Sequence, residues 1–145
     1  MNILFVCTGN TCRSPMAEAI LRARQLPEVN VQSAGIFTQD GIPMSEHAHA
    51  LVQKHNYPYT LTSQMVSQEL IEWASYVLTM TESHRDYLHA LYPEAKDKIE
   101  TLASFVEHDG QDIQDPYGGT YDMYEATFQQ LTAYIERLDQ KIGGQ

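Results

Sequence analysis

Cys7 and Arg13 stand six positions apart in Val6-Cys7-Thr8-Gly9-Asn10-Thr11-Cys12-Arg13-Ser14-Pro15. A thiolate is a nucleophile, and a guanidinium is a planar fork that binds two phosphate oxygens and follows charge as it moves in a transition state. The residues between them suit a loop that wraps an anion. Gly9 lets the backbone turn, and Asn10 can take a left-handed conformation or pin the loop through its side chain. A loop that leaves a strand and enters a helix turns its N–H groups inward, and the helix N-terminus adds positive potential, so phosphate is the natural guest. That potential, Arg13 and the Ser14 hydroxyl favour the thiolate of Cys7. A thiolate held under a phosphate implies attack at phosphorus, a cysteinyl-phosphate, and its hydrolysis. The Gly-Lys-Ser/Thr ending of a nucleotide P-loop is missing. Spacing alone is a weak signal, because a cysteine at the end of a strand is commonly part of the core. Its place between strand and helix, with Gly9, Asn10 and Ser14 filling the loop, carries the reading.

Displacement at phosphorus also needs a proton donor for the leaving group and a base for water. Asp115, in Gln114-Asp115-Pro116-Tyr117-Gly118-Gly119, is the candidate, set against the plainer reading of an Asp-Pro turn. Asp109, Asp112 and Asp115 recur at intervals of three, but the other ligands of a calcium loop are absent. Cys7 and Cys12 are too few for a four-cysteine zinc site. His47 and His49 fall on different sides of a helix, and His84 and His89 are five apart, so no metal is expected.

Something must place Cys7 and Asp115 together. Asn2 to Val6 reads as a short buried strand, and a helix starts at Ser14, with Ser14 as cap, Pro15 at its first position and Glu18 in its first turn. Asn30 to Ala34 is a second strand, ended by Gly35 and followed by a loop to Pro43. A helix from about Ser45 to His55 puts Ala48, Leu51, Val52 and His55 on one side. Val66 to Ala74 reads as helix, Tyr76 to Met80 as a third strand, Thr81 to Leu91 as helix and Lys98 to Leu102 as a weaker fourth strand. Glu107 to Thr120 is a polar surface loop. In the last helix Tyr124, Phe128, Leu131, Ile135, Leu138 and Ile142 form one apolar stripe, and Gly143 and Gly144 mark a frayed tail. Strands alternating with helices predict an α/β fold: one domain over residues 1–145, with a four-stranded parallel sheet covered on both faces. Ligands of such sheets sit at the carboxyl ends of the strands, where Cys7 and the polar loop both fall.

With 145 residues and 43% hydrophobic content the chain can build one core. Its start lacks the basic residues and longer apolar run of a signal peptide, and no segment approaches the roughly 20 apolar residues of a membrane span. Two cysteines in such a chain suit reduced thiols and a cytoplasmic location. Nineteen acidic residues against nine basic ones, a net charge of −10, argue against nucleic-acid and anionic-membrane partners. An anionic substrate must then be held by a local site against the global field.

Val6 to Glu18, Ser33-Ala34-Gly35 and Asp115 to Gly119 together resemble the low-molecular-weight protein tyrosine phosphatases, in order and along the full length. The resemblance implies the flavodoxin-like fold of that family and no cofactor. It implies Cys7 as nucleophile, Arg13 as phosphate ligand, and Asp115 as general acid and then base. Backbone amides from Thr8 to Arg13 would hold the phosphate oxygens, Asn10 and Ser14 would shape the loop, and Cys12 would form a reversible disulfide with Cys7. Thr11 and Gly118 depart from the tyrosine-directed pattern, which has an aliphatic residue and an aromatic there. They resemble the protein-arginine phosphatase branch, in which the threonine selects the substrate. A Thr11 hydroxyl suits a polar guanidinium, and Tyr117 could wall the site against a guanidinium or a phenyl ring alike. The expected activity is a monomeric, redox-sensitive phosphatase acting on phosphoarginine in phosphorylated proteins, with phosphotyrosine as the alternative. A phosphocysteine carrier of the sugar-transport type is the alternative from another class, though it would not need Arg13 or Asp115. An arsenate reductase would need further cysteines.

Overall fold

The computed structural model describes residues 1–106 and 111–143. Four parallel strands form the sheet: β1 (Asn2–Cys7), β2 (Asn30–Gly35), β3 (Tyr76–Thr79) and β4 (Ile99–Thr101), in the order β2-β1-β3-β4. β1 lies between β2 and β3 with a hydrophobic core on each of its faces, which is why its sequence is a continuous apolar run instead of an alternating one. Ile3, Phe5 and Cys7 face one core with helices α1 (Arg13–Ala23), α2 (Glu46–Lys54) and α6 (Tyr121–Gly143). Leu4 and Val6 face the other, with α3 (Gln68–Trp73) and α4 (Glu82–Leu91). The strand order reverses direction at β1, so the crevice beyond its carboxyl end is where a ligand of this architecture binds. Among the described residues no helix is long and apolar enough to cross a membrane.

Helices α3 and α4 start where a polar side chain takes up a free N–H group of the first turn. Ser67 accepts from Leu70 N–H at the start of α3, and Thr81 from His84 N–H at the start of α4. Ser67 therefore ends the extended segment in which Val66 N–H bonds Gly35 O, and the helix expected from Val66 begins only at Gln68. Two short elements went unforeseen, a 3₁₀ turn over Pro93–Lys98 and α5 (Leu102–Phe105), which Thr101 caps and which takes up the start of the stretch after β4. Residues 111–120 carry no helix or strand, as expected of the polar loop, while Glu107, His108, Asp109 and Gly110 lie outside the described residues. His55 departs from its expected place. It ends α2 on the surface, its ring 4.8 Å from that of Phe128, while Ala48, Leu51 and Val52 are buried. Gly143 belongs to α6, and Gly144 is outside the described residues.

Candidate active site

The backbone leaves β1 at Cys7 and enters α1 at Arg13, wrapping residues 8–12 around a point at the carboxyl end of the sheet. Ser14 does not cap α1; it lies inside the first turn, and its hydroxyl turns back to Cys7, with Oγ 2.9 Å from Sγ. Asn10 N–H donates to the same sulfur at 3.3 Å. Both contacts converge on the sulfur of Cys7, which is buried. Asn10 holds φ 55°, the left-handed conformation its residue type tolerates, and its side chain secures it there. Asn10 Nδ2 donates to Ser14 Oγ at 2.8 Å and Ser33 Oγ at 2.9 Å, while Oδ1 accepts from Gln64 N–H at 2.9 Å. Ser33 in turn donates to Glu18 Oε1 at 2.8 Å, and Glu18 Oε2 takes Arg22 Nη2 at 3.0 Å and the Thr60 hydroxyl at 3.2 Å. Burial pushes the Glu18 carboxyl above its ordinary range, against the pull of Arg22 and of the hydrogen bonds from Ser33 and Thr60.

Arg13 is buried along its length. Its Nη1 donates to Ile113 O at 3.1 Å, and its Nη2 lies 3.5 Å from Asp115 Oδ2. Asp115 itself is 55% exposed, and its Oδ1 accepts from Tyr117 N–H at 3.0 Å. The loop after β4 thus brings Asp115 across to the loop after β1, as its position on that edge of the sheet requires. A cleft of about 720 Å³ opens over these groups, with Cys7, Thr8, Gly9, Thr11 and Arg13 at its base and Asp115 and Tyr117 on its side. Cys12 lines the cleft as well, whereas Gly118 does not, and Asn10 and Ser14 are buried against Cys7. Both cysteines are free thiols. Cys12 Sγ sits 3.4 Å from Ser45 Oγ and 3.3 Å from Tyr124 OH. Among the described residues no group of three or more His, Cys, Asp or Glu is placed to hold a metal.

Sequence reasoning missed the rest of the wall. Ile36, Phe37, Ile42 and Met65 line the cleft from the loops that follow β2 and precede α3, and Phe37 is 65% exposed. Exposed apolar residues in a loop were the available signal. His84 was also missed. Its Nε2 lies 2.9 Å from Thr8 Oγ1, and burial, then Arg13, lower its pKa to about 4, although Asp112 and Asp115 pull the other way.

A parallel α/β domain with a buried cysteine and a buried arginine at the two ends of a strand-to-helix loop, at the strand-order reversal, has the architecture of a cysteine-dependent phosphatase. The chain belongs to the low molecular weight phosphotyrosine protein phosphatase family, whose model matches residues 2–145. A protein-arginine-phosphatase of Geobacillus stearothermophilus is 46% identical over 140 residues, 97% of this chain and 95% of its own. The low molecular weight protein-tyrosine-phosphatase PtpB of Staphylococcus aureus is 38% identical over 138 residues, 95% of this chain and 96% of its own. A solved YwlE arginine phosphatase, a C7S mutant with a phosphorylated active site serine, is similar with a TM-score of 0.91 at 37% identity. That alignment covers 98% of this chain and 95% of the solved one.

Proposed function

We propose that this protein hydrolyses phosphoarginine in proteins through a cysteinyl-phosphate on Cys7. The observation that carries the reading is the pair of contacts on Cys7 Sγ, Ser14 Oγ at 2.9 Å and the Asn10 N–H donor at 3.3 Å, at the base of an open cleft. The sulfur lone pair attacks phosphorus, and the P–N bond breaks. Asp115, in its acid form, gives its proton to the leaving guanidine nitrogen. Asp115 then takes a proton from water as the water oxygen attacks phosphorus, the S–P bond breaks, and inorganic phosphate leaves. Arg13 holds two phosphoryl oxygens through both steps, aided by backbone N–H groups from Thr8 to Arg13. The phosphorylated active-site serine of the similar C7S mutant supports the covalent step.

Arginine over tyrosine is supported by three features. Thr11 lines the cleft with a hydroxyl whose contact among the described residues is Cys12 Sγ at 3.8 Å, beyond a strong hydrogen bond. Asp115 already faces one guanidinium, that of Arg13, and its exposed carboxyl can engage a second from the substrate, its carbonyl oxygen accepting from a guanidinium N–H while its O–H faces the leaving nitrogen. A relative 46% identical to this chain is named a protein-arginine-phosphatase. The aromatic and aliphatic walls, Tyr117, Phe37 and Ile36, favour the second reading, because they accept a phenyl ring as readily as a guanidinium plane. Within this reading the enzyme works in the cytoplasm as a monomer on phosphorylated proteins. Its net charge of −10 supports the exclusion of nucleic acid and anionic membranes.

The test is kcat/KM for a phosphoarginine and a phosphotyrosine substrate with wild type and Thr11→Ile. Wild type should prefer phosphoarginine, and Thr11→Ile should shift the ratio toward phosphotyrosine by about tenfold or more, the worth of one hydrogen bond to a charged group. A wild-type preference for phosphotyrosine that Thr11→Ile leaves unchanged would establish the second reading instead.

A further inference from the structure

We propose that His84 is a positioning residue of this site, which orients the Thr8 hydroxyl so that Thr8 gives its hydrogen to a phosphoryl oxygen in the cleft. The inference rests on the phosphatase reading above. Thr8 follows Cys7 directly and lines the cleft, and its carbonyl oxygen is already taken by Phe37 N–H at 2.9 Å. Its hydroxyl meets one imidazole nitrogen, His84 Nε2, at 2.9 Å. His84 arrives from α4, in the first turn of that helix, and is only 4% exposed. Its other ring nitrogen, Nδ1, is buried with no hydrogen-bond partner among the described residues.

A neutral imidazole carries a single hydrogen, and the surroundings decide where. His84 is neutral at ordinary pH, because burial and the Arg13 charge hold its pKa down. A hydrogen on Nδ1 would be a buried donor without an acceptor, close to the positive end of α4 and to Arg13. The same positive potential favours a bare lone pair on Nδ1. The hydrogen therefore belongs on Nε2, where it is donated to Thr8 Oγ1. With its oxygen accepting from His84, Thr8 turns its own hydrogen elsewhere, and the cleft is the direction it lines. With the opposite tautomer, Thr8 would donate to Nε2 and present lone pairs to an incoming phosphate. His84 thus sets the sign of the Thr8 dipole at the anion, adding a side-chain donor to the backbone N–H groups.

Two measurements test this. The first is the ¹⁵N and ¹H spectrum of the His84 ring in wild type near neutral pH. An Nε2–H tautomer is expected, and an Nδ1–H tautomer overturns the proposal without any variant having to fold. The second is a double-mutant cycle of Thr8→Val and His84→Leu, read by the inhibition constant of inorganic phosphate and by kcat on an aryl phosphate. Each single variant should weaken phosphate about tenfold, the double no more than either single, and His84→Gln, which keeps a donor, should recover most of the loss. Losses that multiply, or a Thr8→Val enzyme that binds phosphate like wild type, would overturn it, since a merely structural histidine leaves its effect independent of the Thr8 hydroxyl. If wild type neither binds phosphate nor hydrolyses any phosphate substrate, the phosphatase reading fails first and this proposal with it. A hydrolysing wild type with multiplicative losses refutes the positioning role alone.

Discussion

Asp115 and Arg13 face one another across the mouth of the site, 3.5 Å apart, one exposed and one buried. In the proposed mechanism a dianionic phosphoryl group entering the loop would compete for Arg13 and free the Asp115 carboxyl for the leaving group. Tyr117 N–H, on Asp115 Oδ1 at 3.0 Å, keeps that carboxyl from swinging away. Removing the carboxyl should therefore cost proton transfer and spare phosphate binding. Asp115→Ala is expected to lower kcat by about a hundredfold or more where the leaving group is poor, within the usual range for one general acid. The loss should shrink as the leaving group improves, because a stable leaving anion needs no proton. A series of aryl phosphates of falling leaving-group pKa reads this directly, and one uniform loss along the series would exclude Asp115 as the acid.

The elements hold the loop by close backbone contact and by one buried polar chain. A Cβ on Gly35, at the end of β2, would lie 2.7 Å from Thr8 O and 3.0 Å from Asn10 N, both backbone atoms that cannot step aside. Gly35→Ala should push the loop off its geometry, costing about 1–3 kcal/mol of stability. Activity should fall further than stability explains, measured as kcat well below the unfolding midpoint; wild-type kcat in a folded Gly35→Ala protein would show that the loop tolerates the shift. The buried polar chain runs from Glu18 through Ser33 and Asn10 to Ser14. The Glu18 carboxyl is raised in the folded state, so the native protein holds that proton more tightly than the unfolded chain. Its contribution is then full below the ordinary value of 4.5 and is lost as pH rises through the higher folded value. Glu18→Gln removes that loss, so its urea midpoint relative to wild type should climb with pH above 4.5. A difference that stays flat would mean that the carboxylate is fully compensated by Arg22, Ser33 and Thr60. The alternation of β1, α1 and β2 was legible from the sequence because apolar runs, Pro15 and Gly35 are local signals. Ser14 was misread as a cap, since a serine before proline looks the same whether its hydroxyl meets a helix N–H or the sulfur seven residues back. Phe37, Met65 and His84 reach the site only through the order β2-β1-β3-β4, and residue spacing along the chain cannot express that order.

At the scale of the molecule, the site works against its own field. The chain carries −10 overall, and the cationic group at the base of the cleft, Arg13, is paired with Asp115. The rim adds little charge of its own: Phe37 and Tyr117, 65% and 79% exposed, stand beside Ile42 and Met65. Approach is then governed by the long-range negative potential and by the residues that flank the phosphorylated side chain, while capture is governed by the loop. A phosphopeptide flanked by Lys and Arg should associate faster than one flanked by Asp and Glu, even though both present the same phosphoryl group. Raising ionic strength from about 0.01 M to about 0.15 M shortens the screening length from about 30 Å to about 8 Å. Over that range kcat/KM should fall for the basic peptide and rise for the acidic one, closing a gap of about tenfold at low salt. Parallel salt dependence of the two peptides would mean that the field at the cleft mouth is set locally by Arg13 and Asp115, with the remaining charge of the molecule too distant to act.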